Sequence, residues 1–453
     1  MTDATALSKA IRDGRTTARR VMKATLDACA RQTGLGAVVR LLPEAELLAA
    51  ADAADARAND QRGPFHGVPM LAKDLGSAAR GLAPGAGSPA LRRRVVDAGE
   101  DSDFFAGLRQ QGLIPIGLST TPEFGFSLSS EPPGGPIARN PFDLARTPGG
   151  SSGGAAAAVA AGIVPIAHAT DAAGSIRVPA ACCGLWGLKP SRGATPMGPD
   201  YANYLMGVVG ELTLARSLRD IDACLRTFTQ DNDCPQLPKV PRIALVIPNR
   251  CDADQAEAAR GVAVLFEAAG AKVEESAAPD ALGAEAHTLV GQILAASLAE
   301  WLEAMGIPDA EVSPLAAANA ERGRGMTPMQ VFGLTRRIQQ IGKHSLCMLS
   351  DADAILMPIL AGPPPEIGAF AFDHCDIDAH LAAMEALAPN AALANVAGMP
   401  ALAIPTLTRA GMPTAVQLIG RPGGDGVLLT LAAGISDALP PIPYPTPIAG
   451  LAA

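Results

Sequence analysis

The sequence predicts an α/β fold with a large central sheet. Three observations carry that reading. Short apolar runs of strand length alternate with helix-patterned segments along most of the 453 residues. One stretch forms a complete strand–helix–strand unit: PRIALVIP (241–248), a helical pattern over 254–269, and a second run over 271–275. Hydrophobic residues at 48% against 18% charged residues give a core-rich balance and exclude a disordered chain.

In chain order, the first sixty residues read as helices, with apolar positions at helical spacing over 17–30 and 44–57. Near Gly63 the texture changes. GVPMLAKDLG (67–76) and GLIPIGLSTTPEFG (112–125) are apolar runs punctuated by Gly and Pro, as buried strands ending in loops would be. Residues 155–162 read as a helix and IVPIAHATD (163–171) as a strand. Residues 285–350 read as largely helical. DADAILMPIL (351–360), MPALAIPTL (399–407) and TAVQLIG (414–420) read as strands before a last helix at 427–435. No fixed-period repeat is present, and the proline-rich AGPPPEIG (361–368) and PPIPYPTP (440–447) read as spacers.

The net charge of −9 and 4% aromatic residues argue against nucleic acid, which needs a basic surface or stacking rings. The first twenty residues lack an apolar signal region, and no apolar run is long enough to span a bilayer. No membrane association is expected. The cysteines are Cys29, Cys182, Cys183, Cys224, Cys234, Cys251, Cys347 and Cys375. They form no CxxC pair and no metal-ligand spacing, so reduced, mostly buried thiols in a cytoplasmic protein are expected, with no metal and no cofactor.

TPGGSSGGAAAAVAAG (147–162) holds two serines, Ser151 and Ser152, among four glycines. A phosphate-binding loop would follow its glycines with Lys and Ser or Thr, and here alanines follow. A nucleophile elbow, G-x-S-x-G, fits twice, centred on Ser151 or Ser152. It needs a late histidine: His168 reads as a core residue, while His374 and His380 fit by position alone. A tight turn feeding a packed helix fits as well. Downstream, ATDAAGSIRVPAACCGLWGLKPS (169–191) places a third serine, Ser175, after small residues. Upstream, Lys73 is surrounded by Val68, Pro69, Met70, Leu71 and Ala72. In a strand Asp74 would face away from it, so Lys73 can be desolvated without an adjacent counter-ion, which lowers its pKa.

Together these segments resemble the amidase signature family. The serine loop and ATDAAGSIRVPAACCGLWGLKPS match its signature, GPFHGVPMLAKDLG (63–76) its lysine motif, and ARNPFDLARTPGG (138–150) the approach to the serine loop. DADAILMP, NVAGMPALAIP (395–405) and GMPTAVQLIG (411–420) are similar to its C-terminal motifs. The resemblance weakens over 235–350. The small-residue run and PAACCGL are similar to the branch of 6-aminohexanoate cyclic-dimer hydrolase and the urethanases. The resemblance implies a single domain over 1–453 with a large twisted mixed sheet covered by helices on both faces. Its parts would be N-terminal helices (1–62), a signature core (63–220), a variable substrate-side segment (235–350) and a C-terminal sheet and helix part (351–453).

It also implies a Ser–cis-Ser–Lys triad. Ser175 is then the nucleophile, Ser151 the bridging serine after a cis bond from Gly150, and Lys73 the base. The oxyanion donors would be the N–H groups of Ala172, Ala173, Gly174 and Ser175. Many members carry a glycine pair before the nucleophile, and Ala173 is tolerable if its φ is negative. Ser152 would support the relay by a hydrogen bond, while Asp171 and Arg177 would hold the nucleophile turn. The acyl pocket is expected from 121–130, with Phe124, Gly125, Phe126 and Ser127, and from Tyr201, Tyr204, Met206, Met326, Met329 and Phe332. The implied activity is hydrolysis of small amides, anilides or linear oligoamides through an acyl-enzyme, with esters or carbamates as further or main substrates, by a monomer or homodimer. An amidotransferase subunit is disfavoured by Val178, where a polar residue is expected. A silent binding protein is disfavoured by the intact triad positions.

Overall fold

The computed structural model describes residues 3–58, 62–197, 204–229 and 237–451. Among these, eleven strands join in one mixed sheet. They are β1 (Val38–Leu41), β2 (Val68–Lys73), β3 (Leu113–Ser119), β4 (Ile166–Asp171), β5 (Trp186–Lys189) and β6 (Gly210–Ala215), then β7 (Arg242–Val246), β8 (Lys272–Ser276), β9 (Ala354–Pro358), β10 (Ala401–Leu407) and β11 (Pro413–Gly420). Their spatial order is β1-β3-β2-β4-β6-β5-β10-β11-β9-β7-β8.

The central strands β2 to β6 and β9 to β11 are buried almost residue for residue, which explains their continuous apolar runs. The edge strand β8 is exposed and carries Lys272, Glu274 and Glu275, charges that discourage pairing with another chain. The expected unit over 241–275 forms: parallel β7 and β8 are joined by the helix Ala253–Ala268. Helices Asp280–Ala304, Pro314–Arg324 and Pro328–Cys347 fill most of 285–350. The last begins with a reciprocal cap between Thr327 and Gln330.

Three strands were not legible in the sequence. β1 corrects the all-helical reading of the first sixty residues: VVRL is only four residues long and gains its partners from β3, far along the chain. β5 is equally short. β6, GELTLA, hides a buried Glu211 and Thr213 within an otherwise apolar strand.

β2 runs parallel to both β3 and β4. Their carboxyl ends therefore lie along one edge of the sheet, and Lys73, Ser119, Thr170 and Asp171 arrive together there. The crevice beyond strand carboxyl ends is where open α/β sheets place ligands. The helix Gly153–Ala160 packs behind this edge with every residue buried, which only small side chains allow. Among the described residues no helix is long and apolar enough to cross a membrane, and no cluster of His, Cys, Asp or Glu could hold a metal. Cys29, Cys182, Cys183 and Cys224 are buried free thiols, whereas Cys347 and Cys375 are exposed, because their segments lie at the surface. Cys234 lies outside the described residues.

Candidate active site

Lys73 ends β2 and is fully buried. Its Nζ lies 2.7 Å from Ser151 Oγ and 2.8 Å from Thr170 Oγ1. Asp74, its neighbour in sequence, turns away to accept the N–H groups of Gly85 and Gly87 and to pair with Arg92. Burial pushes the Lys73 ammonium down to about 7, against a weaker upward pull from the carboxylates of Asp171 and Glu211. At that position much of the lysine is a free amine near neutral pH, able to accept a proton.

A layer of buried polar groups fixes the lysine from below. The Lys73 backbone N–H donates to His168 Nδ1 at 3.1 Å, so the ring proton sits on Nε2, 3.0 Å from Glu211 Oε1. Glu211 also accepts the N–H and hydroxyl of Ser77. The rings of Phe104 and Phe105 close over His168. His168 is thus the core histidine expected. His374 and His380 are spent elsewhere: His374 Nδ1 accepts the Asp376 N–H, and His380 Nε2 meets the Phe126 carbonyl. The nucleophile-elbow reading has no histidine here.

The Gly150–Ser151 peptide bond is cis. A methyl on Gly150 would lie 2.5 Å from the Ser129 nitrogen, so glycine is required by close backbone approach. Ser130 Oγ accepts the Gly153 N–H at 2.9 Å and lies 3.2 Å from the Ser151 carbonyl oxygen, latching the serine loop. Ser152 donates to the Thr170 carbonyl at 3.2 Å and reaches neither Lys73, Ser151 nor Ser175. Its hydrogen bond reaches the end of β4, at the residue whose hydroxyl contacts Lys73. Thr170 was missed in the sequence, and Ser130 was expected only as part of the pocket segment 121–130, not as a latch on the serine loop. Both are small hydroxyl residues in polar-punctuated stretches, and nothing local distinguishes them.

Ser175 sits in the turn between β4 and the helix Arg177–Cys183. The Asp171 carboxylate organises that turn. It accepts the N–H groups of Gly174 at 2.7 Å and Ile176 at 3.1 Å, and pairs with Arg177 Nε at 2.9 Å. Burial alone would raise its pKa. The Arg177 charge and hydrogen bonds from Arg177, Asn395 and Gly174 outweigh it and hold Asp171 at about 2. Arg177 continues to Gln417 Oε1 and Asn395 Oδ1, both at 2.6 Å. Asn395 Nδ2 returns to the Asp171 carbonyl at 2.6 Å and reaches the Val208 carbonyl at 3.2 Å.

Gly174 has φ +112°, where a side chain would be strained, while Ala173 stays out of the left-handed region. The Gly174 N–H is committed to Asp171, which removes it from the expected set of oxyanion donors. The N–H groups of Ala172, Ala173 and Ser175 meet no acceptor among the described residues. A cavity of about 30 Å³ touches these residues together with Ser151 and Thr170.

Of the expected pocket residues, Phe124 and Gly125 line this cavity. Phe126 is core, stacked on His380, and the Ser127 hydroxyl accepts the Ser129 N–H instead. Leu205 rather than Met206 faces the cavity, because the left-handed turn at 205–206 aims the earlier side chain inward. Met326 lines a separate groove of about 700 Å³. Met329 and Phe332 are 79% and 72% exposed and are not among the residues that line this cavity. Tyr201 and the Tyr204 side chain lie outside the described residues. Leu294 and Met384, which the sequence did not single out, complete the cavity.

A serine loop facing a buried lysine, beside a turn with unpaired N–H groups at the carboxyl ends of parallel strands, fits the class of hydrolases. The Amidase family model matches residues 20–429. The 6-aminohexanoate-cyclic-dimer hydrolase of Paenarthrobacter ureafaciens is 31% identical over 83% of this chain and 84% of its own. The putative amidase AmiC of Mycobacterium bovis is 32% identical over 97% of this chain and 94% of its own. A solved structure of 6-aminohexanoate cyclic dimer hydrolase superposes with a TM-score of 0.88, at 29% identity and 97% coverage of both chains. This chain belongs to the amidase signature family, and it is an amidase-family hydrolase that acts on amides.

Proposed function

We propose that the protein hydrolyses small amides through an acyl-enzyme on Ser175, with Ser151 as proton carrier and Lys73 as base. The observation that carries this reading is the 2.7 Å contact between a fully buried Lys73 Nζ and Ser151 Oγ, at the wall of the cavity that also holds Ser175.

A serine hydroxyl attacks poorly until a neighbour takes its proton. Neutral Lys73 accepts the Ser151 proton, Ser151 accepts that of Ser175, and Ser175 Oγ bonds to the carbonyl carbon. The oxygen charge that develops faces the unpaired N–H groups of Ala172, Ala173 and Ser175. The proton returns along the same path to the leaving nitrogen as the C–N bond breaks, releasing the amine. Water then loses a proton to the relay and attacks the ester on Ser175; the relay returns that proton to Ser175 Oγ as the C–O bond breaks and the acid leaves. Asp171 and Arg177 hold the turn and touch no reacting atom. Esters and carbamates follow the same acyl transfer and belong to the same proposal.

A fluorophosphonate followed by peptide mapping tests it. Label is expected on Ser175. Label on Ser151 or Ser152, or none in an active preparation, would remove the assignment.

A further inference from the structure

The cavity beside Ser175 restricts which acyl group the enzyme accepts. About 30 Å³ is room for one or two water-sized groups. Apart from Ser151, Thr170 and Ser175, its side-chain walls are apolar: Leu75, Phe124, Leu205, Val209, Leu294 and Met384. No carboxylate, ammonium or guanidinium lines it. The two walls at Phe124 and Leu205 stand on left-handed backbone, φ 52° and 50°. Such backbone persists in large apolar residues only where the surroundings enforce it. Here the Phe124 N–H donates to the Ala86 carbonyl at 2.7 Å, its ring meets Trp301 edge-on, and Arg192 Nε holds the Gly207 carbonyl at 2.6 Å. The walls are anchored.

The apolar end of the cavity suits the acyl half of the substrate. The amine must depart before water attacks, whereas the acyl group stays bonded to Ser175 throughout. A charged substituent drawn into this end would find no counter-charge, and desolvation would oppose it. We propose that the cavity is the acyl subsite and selects short, uncharged acyl groups of roughly two to four carbons. Met384, on the helix Ile377–Leu387, and Leu294, on Asp280–Ala304, set its depth. The inference rests on Ser175 being the acylated residue.

The test uses p-nitroanilides of acetic, butanoic, hexanoic and 6-aminohexanoic acids. For the wild type, kcat/KM is expected to fall about tenfold or more from acetyl to hexanoyl, and further for 6-aminohexanoyl. Met384→Ala should raise the hexanoyl-to-acetyl ratio about tenfold, while Met384→Leu should keep the wild-type order. Leu294→Ala, at a half-buried position, gives the same reading if Met384→Ala does not fold. Calorimetry of acetanilide and hexananilide with Ser175→Ala reads the cavity without turnover, and acetanilide should bind more tightly. Turnover that survives in Ser175→Ala counts against the nucleophile assignment, and the binding order still decides the cavity. Rates that climb with chain length to hexanoyl, tighter binding of hexananilide, or a ratio unmoved by both alanine variants would overturn the inference.

Discussion

Lys73 and Thr170, 97 residues apart, meet at 2.8 Å where two parallel strands end side by side. Among the described residues, the Thr170 hydroxyl and Ser151 are the two side-chain partners that the Lys73 Nζ finds. With no carboxylate on the nitrogen itself, burial dominates and the amine is held near 7.

The rate should follow that amine. Below about 7 Lys73 carries a proton and cannot take one from Ser151; above it the base is free. Amide kcat/KM is therefore expected to rise with pH through a limb near 7 and then level off. Lys189 is also pushed to about 7 by burial, but its Nζ donates to the Pro190 carbonyl and lies outside the cavity. Lys189→Met should leave the limb in place, while Lys73→Met should abolish turnover. A limb that moves with Lys189 would reassign the base.

Thr170→Val keeps the shape and removes one acceptor from the lysine. A hydroxyl acceptor favours the charged ammonium over the free amine, so its loss lowers the Lys73 pKa further. The acidic limb is expected to shift to lower pH, with kcat/KM on the plateau down about tenfold as the amine loses its aim. A pH–rate profile of the variant checks both. An unchanged limb would mean that Thr170 does not contact the titrating group.

Asp171→Asn should act on stability as well as rate. It leaves the fully buried Arg177 without its charge partner, a change that typically costs about 3–5 kcal/mol. The melting temperature should fall by several degrees. Asn395→Ala removes a neutral partner from Arg177 and Asp171 and should cost less, about 1–3 kcal/mol. Because Asn395 steadies the Ser175 turn without touching it, its kcat should fall while KM changes little. Denaturant unfolding beside steady-state kinetics separates the two. Equal destabilisation by both variants would contradict the ranking.

Local pattern was enough for much of the fold. The long apolar runs that became β2, β3, β4 and β9 to β11 are continuous because both sheet faces are covered, and that continuity is visible in one dimension. The glycine-framed serines and the lysine in an apolar run were legible for a related reason. Tight turns and buried charges demand unusual residues at fixed positions, and those stand out against the background composition.

Tertiary structure alone decided the rest. β1 and β6 exist because distant strands supply their hydrogen bonds. The Gly174 N–H turns to Asp171, and Ser152 to Thr170, because side chains compete for the same few donors and acceptors once folded. Phe332 and Met326 fell outside the cavity while Leu294 and Met384 closed it, since which face of a helix meets Ser175 depends on how that helix packs. The sequence by itself determined that Lys73, Ser151 and Ser175 stand in chemically fitting local settings. Only the parallel pairing of β2 with β4 carries residues 73 and 170 to one sheet edge, where burial lowers the lysine pKa to about 7.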